Sequence, residues 1–286
     1  MDMIYPGLRE LLQRALAEDV GHGDVTTQLT VPATRRGRAR ILVKGNGPVV
    51  FCGGALVAEV CALAGARTEI ARLAQDGARL EPGEVAAEFA GPLASLLTAE
   101  RTLLNFLQLM SGIATATAAY VAAVRGTGAT IIDTRKTHPG LRTLEKYAVR
   151  VGGGANHRYG LDSGVLIKDN HIVAAGSVEA AIGAARRAAP HTLKIQIECE
   201  TIAQVEQALA AGADVLLLDN MTLANIQQAV SVVQACGRVV PLEVSGNVTL
   251  DTVRAIAETG VDLISVGAIT HSVHAADLSM RIENLT

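Results

Sequence analysis

The sequence predicts an α/β protein whose larger part is a parallel sheet covered by helices. Three observations predict it. From about residue 125, short and nearly continuous apolar runs alternate with amphipathic, alanine-rich stretches. Such runs suit strands buried on both faces, and the stretches between them suit covering helices. The runs end, one after another, in a polar residue or a glycine, as the strands of a barrel of βα units do.

The elements follow in order. Residues 7–18 set Leu8, Leu11, Leu12, Ala15 and Leu16 at helical spacing. Residues 19–32, rich in glycine and hydroxyl side chains, read as a loop. Two stretches, 39–53 and 68–91, are apolar runs broken by Gly-Asn-Gly, Asp-Gly and Pro-Gly, the marks of strands and turns. A helical pattern covers 92–123, with a break expected at Ser111-Gly112. Strand patterns then occupy 129–133, 165–168, 193–198, 215–219, 239–245 and 262–267, with helix patterns between most of them. This part spans only about 150 residues, against roughly 250 for an eight-fold barrel, so short helices or fewer strands are expected. An open doubly wound sheet is the competing architecture.

Composition narrows the class. The chain has 286 residues, 49% of them hydrophobic, with three Phe, four Tyr and no Trp, so its core is built from Ala, Val, Leu and Ile. The formal net charge of −3 argues against a nucleic-acid coat or a polybasic membrane binder. No uninterrupted apolar run reaches the ~20 residues of a membrane span, and residues 1–19 lack the apolar centre of a signal peptide. Cys52, Cys61, Cys199 and Cys236 lie far apart and form no C-x-x-C pair, so free core thiols and a cytoplasmic location are expected. No nucleophile elbow, dinucleotide fingerprint or Walker loop occurs, and the histidines lack a zinc spacing.

The chemistry lies at the strand ends. Glu198 and Asp219 close two strand patterns, and Ser245-Gly246-Asn247 and Gly267-Ala268 follow two more. The two acids could anchor a hard divalent cation such as Mg²⁺, and the glycine turns could offer backbone N–H groups to phosphate. Helix starts at Leu250 and near Thr270 would add to that field. The basic residues Arg135, Lys136, Arg158 and Lys168 flank the same expected rim, where a ligand bearing carboxylates or phosphates would compensate them. His157 could donate to a ligand, act as an acid or brace its loop, whereas His22, His138 and His171 read as structural.

Residues 98–115, 133–161, 166–172, 216–221, 243–247 and 262–272 together resemble quinolinate phosphoribosyltransferase, and the likeness runs from 18–27 almost to the C-terminus. The resemblance implies an N-terminal α/β sandwich domain at 1–112, with 271–286 returning to it, and an incomplete α/β barrel of about seven strands at 113–270. It implies a homodimer, in some members a hexamer, with no nucleic acid or membrane partner. The implied reaction converts quinolinate and phosphoribosyl pyrophosphate, with Mg²⁺, into nicotinate mononucleotide, carbon dioxide and pyrophosphate, on the de novo route to NAD.

Carried onto this chain, the resemblance makes Thr134, Arg135, His157, Arg158 and Lys168 the quinolinate binders, with Arg101 supplied by the neighbouring subunit. It places Lys136, Glu198, Asp219, Ser245, Gly246, Asn247, Val266, Gly267 and Ala268 around phosphoribosyl pyrophosphate. Glu198 and Asp219 hold the metal, and Lys136, Lys168, Glu198 and Asp219 form the catalytic set. A related protein encoded with molybdate-transport genes, acting on another aromatic carboxylate, is the alternative within the enzyme class. A binding module without catalysis is the alternative outside it.

Overall fold

A computed structural model of the chain describes residues 5–284. It begins with α1 (Leu8–Val20), whose Leu8, Leu12 and Leu16 are buried, and α2 (Val25–Thr30). The second helix replaces the loop expected at 19–32, because Asp24 caps it, accepting the Thr27 N–H at 3.0 Å. Then come β1 (Arg36–Val43), β2 (Val49–Val50), α3 (Leu56–Leu63), β3 (Glu69–Leu73), β4 (Arg79–Leu80), β5 (Val85–Pro92) and α4 (Leu93–Ala123).

Helix α4 runs unbroken through Ser111-Gly112, contrary to the expected break. Ser111 turns its hydroxyl to the Cys52 N–H at 3.0 Å. A Cβ on Gly112 would collide with the His274 carbonyl, so this glycine serves close backbone approach rather than a bend. The helix is long and apolar enough to cross a membrane, which no uninterrupted run in the sequence suggested. Half of its most apolar window is buried within the protein, so it is read as a core helix.

The second half continues with β6 (Thr130–Ile132), α5 (Arg142–Val151), β7 (Val165–Ile167), α6 (Asp169–Ala175), α7 (Val178–Ala188), β8 (Ile195–Cys199), α8 (Ile202–Ala210), β9 (Val215–Asp219), α9 (Leu223–Ala235), β10 (Leu242–Ser245), α10 (Val253–Ala257), β11 (Leu263–Ser265), α11 (Ala268–His271) and β12 (Leu278–Asn284). Hydroxyl residues start three of these helices: Ser177, Thr201 and Thr222 each accept a backbone N–H from the first turn. Helix α10 starts at Val253 rather than Leu250, since Thr249 and Thr252 close a hydroxyl turn ahead of it.

The chain divides into two compact units. The first contains residues up to 118, together with 138–153 and the stretch from 272 onward. Its main sheet is antiparallel in the order β12-β1-β5-β3. Strand β1 alternates, with Gly37, Ala39, Ile41 and Val43 on the buried side.

The second unit holds 119–137 and 154–271. Its six-stranded parallel sheet has the order β6-β11-β10-β9-β8-β7. From β7 to β11 the chain adds each strand beside the last, so the order shows none of the reversal that marks a doubly wound sheet. A parallel bridge from Ile132 to Ala155 adds a seventh, one-residue strand beside β6. This is the singly wound α/β arrangement of an incomplete barrel, although among the described residues no ladder joins Ala155 to β7. Residues of β8 are buried throughout, as expected for a strand covered on both faces.

Candidate active site

The carboxyl ends of the strands in the second unit surround one cavity of about 640 Å³. Alternate residues of a strand face the same side, so Lys168 after β7, Glu198 on β8, Asp219 on β9 and Ser245 on β10 all line it. In the ladder register Glu198 is level with Leu217 and Glu243, and Asp219 with Ser245 two residues nearer the carboxyl ends.

The basic side is built from two loops. After β6 come Thr134, Arg135 and Lys136, all lining the cavity. Thr134 accepts the Lys136 N–H at 3.0 Å, and Thr270 donates to the Lys136 carbonyl at 2.7 Å, which fixes the lysine backbone. The second loop carries His157 and Arg158. Fully buried Asp133 holds it, accepting the His157 N–H at 2.8 Å and the Asn156 side-chain amide at 2.6 Å. The Arg158 N–H donates to His157 Nδ1 at 2.7 Å. This leaves Nε2 as the ring's donor, facing Glu243 Oε2 at 3.4 Å. The Arg158 guanidinium bonds the Gly164 carbonyl at 2.9 Å, while its Nε is buried without a partner. Burial, and next the like charge of Arg135, lower the Arg158 pKa from its ordinary value.

Lys168 pairs with Glu198, which is 8% exposed, and its N–H donates to His171 Nδ1 at 3.0 Å. His171 thus closes a capping box at the start of α6. His138 meets buried Glu145 with both its N–H and its ring.

Facing the cations is a tight polar turn. Gly246 has φ +93°, and Asn220 and Asn247 also take the left-handed conformation, at 52° and 50°. The Asn220 N–H donates to the Ser245 carbonyl at 3.1 Å, and the Asn247 amide donates to Asn220 Oδ1 at 3.2 Å. A Cβ at Gly246 would collide with the Asn220 side chain. Only glycine fits here without strain.

Eleven residues expected at the site thus meet in one cavity: Thr134, Arg135, Lys136, His157, Arg158, Lys168, Glu198, Asp219, Ser245, Gly246 and Asn247. Val266 is buried and, with Gly267 and Ala268, does not line it. A Cβ on Gly267 would stand 2.9 Å from the His271 ring and 3.2 Å from the Lys136 stem, so this glycine makes room for both side chains. Arg101 is exposed on α4 in the first unit. The sequence reading missed Glu243, Gln196, Asn220 and Ser265. For Glu243 the available signal was a charge inside the apolar run 239–245.

Glu198 and Asp219 line the cavity, with Glu243 more deeply buried in its wall; among the described residues no group of three or more His, Cys, Asp or Glu is poised for a metal ion. This donor set fits magnesium, which takes one or two carboxylates and leaves most positions to water and substrate oxygens. It does not fit a structural zinc site.

Fold and cavity define a class: an α/β enzyme whose cavity sets a cationic loop pair against an acid-lined strand rim. Residues 24–111 match the model for the quinolinate phosphoribosyl transferase N-terminal domain, and residues 113–281 match that for its C-terminal domain. The chain belongs to the quinolinate phosphoribosyltransferase family. It is 44% identical over 282 residues to the nicotinate-nucleotide pyrophosphorylase (carboxylating) of Mycobacterium leprae, covering 98% of both chains. It is 43% identical over 275 residues to a probable enzyme of the same name from Bacillus subtilis, covering 96% of this chain and 93% of the relative. The solved structure of NadC from Streptococcus pyogenes superposes with a TM-score of 0.92 at 39% identity, over the full length of both chains.

Proposed function

We propose that the chain transfers the phosphoribosyl group of phosphoribosyl pyrophosphate to quinolinate, with loss of carbon dioxide, yielding nicotinate mononucleotide and pyrophosphate for NAD biosynthesis. The observation that carries this reading is the convergence of Arg135, Arg158 and Lys168 with Glu198, Asp219 and the Ser245–Asn247 turn in one cavity. Such a cavity can hold an aromatic diacid beside a sugar polyphosphate.

In this reading Arg135, Arg158 and Lys168 bind the pyridine carboxylates, with hydrogen bonds from Thr134 and His157. They orient the ring nitrogen toward the sugar. Backbone groups of Ser245, Gly246 and Asn247, with the 266–268 turn behind them, receive the phosphates, and Lys136 meets the departing pyrophosphate. The ring nitrogen attacks the anomeric carbon as the bond to pyrophosphate breaks, and orientation with electrostatic stabilisation does most of the work. The positive charge of the new ring cation then stabilises the electron pair left on the ring carbon when the adjacent carboxylate leaves as carbon dioxide. Glu198 and Asp219 would hold magnesium, which supplies charge neutralisation at the pyrophosphate and ribose oxygens.

The same reading makes the protein a homodimer, with hexamers as a further assembly, in which exposed Arg101 serves the partner's cavity. It also places the protein in the cytoplasm, where its four free cysteines stay reduced. Light scattering on the purified protein tests the assembly. The reaction is tested by incubating the protein with quinolinate, phosphoribosyl pyrophosphate and magnesium, and weighing the mononucleotide formed. Nicotinate mononucleotide should appear only when all three are present. Turnover with nicotinate in place of quinolinate would refute the decarboxylating assignment.

A further inference from the structure

The proposed reaction consumes a proton that none of the assigned residues supplies. When carbon dioxide leaves, the electron pair of the broken carbon–carbon bond stays on the ring carbon. The product carries hydrogen there, so a donor must stand within reach of the cavity.

One acid of the cavity has no role so far. Glu243 lies on β10 two residues before Ser245, so it faces the same side one layer deeper. Barrel interiors are usually filled at this depth by branched aliphatic residues. Glu243 is instead a carboxyl only 1% exposed. Its Oε2 accepts the Gln196 amide at 2.6 Å and lies 3.4 Å from His157 Nε2. Its Oε1 is buried with no hydrogen-bond partner. A buried polar oxygen left alone is costly, and the cavity is where its partner can come from.

A second cavity, also about 640 Å³, opens at the amino ends of the same strands, beside Lys194, Val215, Pro241 and Leu263. His157, Arg158 and Glu243 are the residues that line both cavities. The Arg158 guanidinium does not give up its proton at physiological pH. His157 has Nδ1 engaged by a backbone N–H and turns Nε2 toward Glu243. The carboxyl of Glu243 thus stands between the reaction cavity and a route to solvent.

We propose that Glu243 is a catalytic residue, the acid that protonates the ring carbon after carbon dioxide leaves, and that water in the second cavity reprotonates it. In this step the Glu243 O–H bond breaks. Its proton joins the electron pair left by carbon–carbon cleavage to form the new C–H bond. The resulting carboxylate is received by the Gln196 amide and His157 Nε2, and then regains a proton from the solvent's hydronium or buffer acid, relayed by water in the second cavity. The assignment rests on the reaction proposed above.

The test is a single-turnover experiment on the Glu243→Gln protein with quinolinate, phosphoribosyl pyrophosphate and magnesium, quenched at intervals and read by mass. Pyrophosphate should be released at close to the wild-type rate. Nicotinate mononucleotide should form roughly a hundredfold more slowly. A mononucleotide that keeps both carboxylates should accumulate between the two events. Formation of nicotinate mononucleotide at the wild-type rate would overturn the proposal. So would equal slowing of both events with a raised quinolinate KM, which would mean that Glu243 only holds substrate. If the glutamine variant does not fold, the double variant Glu243→Leu with Gln196→Leu carries the same readings, since replacing both partners of a buried polar pair by apolar residues can be nearly neutral. A wild-type protein that forms no mononucleotide defeats the reaction itself, so the two failures read differently.

Discussion

Asp133 braces the loop that carries His157 and Arg158, and its removal should weaken both stability and substrate binding. It is fully buried and accepts the His157 N–H at 2.8 Å and the Asn156 amide at 2.6 Å. In Asp133→Ala the His157 N–H loses this acceptor in a half-buried loop, while the amide of exposed Asn156 can turn to water. One orphaned buried donor costs about 1–3 kcal/mol, and the variant should lose about that much. Asp133→Asn keeps one acceptor oxygen but sets an amide N–H against the second donor, so it should fall between wild type and alanine. Urea unfolding of the three proteins, followed by circular dichroism, measures the order. Titration calorimetry with quinolinate should show a parallel loss of affinity, because His157 and Arg158 are no longer held toward the cavity. An alanine variant within about 1 kcal/mol of wild type, binding quinolinate normally, would refute the bracing argument.

Other perturbations have outcomes as definite. Arg135→Ala should raise the quinolinate KM tenfold or more, roughly the worth of a charge-assisted carboxylate contact, and unchanged kinetics would remove it from the carboxylate site. Gly246→Ala should cost about 1–3 kcal/mol of stability, from a φ of +93° and the clash with Asn220, and should weaken phosphoribosyl pyrophosphate binding in steady-state kinetics. Burial raises the Glu145 pKa above 4.5 despite its hydrogen bonds from His138. A raised carboxyl binds its proton more tightly when folded, so its contribution is full below the unfolded pKa and is lost as pH rises through the folded one. Thermal melts of wild type and Glu145→Gln should therefore diverge as pH rises from acid toward neutral, with glutamine the more stable at the upper end. Burial pushes Cys61 and Cys199 up to about 12 and Cys52 further still, leaving Cys236 as the partly exposed thiol. A maleimide at pH 8 should label one cysteine per native chain and four in denaturant.

The strands of the second unit were legible because buried parallel strands are written as short apolar runs, and 215–219 matches β9 end to end. Polar residues closing such runs pointed to Glu198 and Asp219 for the same reason. Three features were harder to read. Helix α2 hides behind glycines and threonines, and only the Asp24 cap announces it. Helix α3 has an N-cap, Ala55, with no side-chain bond, and its apolar run reads equally well as a strand. Ser111-Gly112 looks like a break, yet both residues serve packing: a hydroxyl to Cys52 and room for the backbone at 274–276. Glu243 escaped because attention to strand ends passes over a charge within a strand. Its meaning comes from Gln196, 47 residues away in the chain, which sequence spacing does not bring near.

The antiparallel sheet of the first unit takes its edge strand, β12, from the last described residues, paired along β1 from Val43–Leu278 to Gly37–Asn284. A ribosome making this protein leaves the outer backbone of β1 uncovered until residues 278–284 emerge. A message truncated before them would yield a chain with an open, pairing-ready strand prone to self-association.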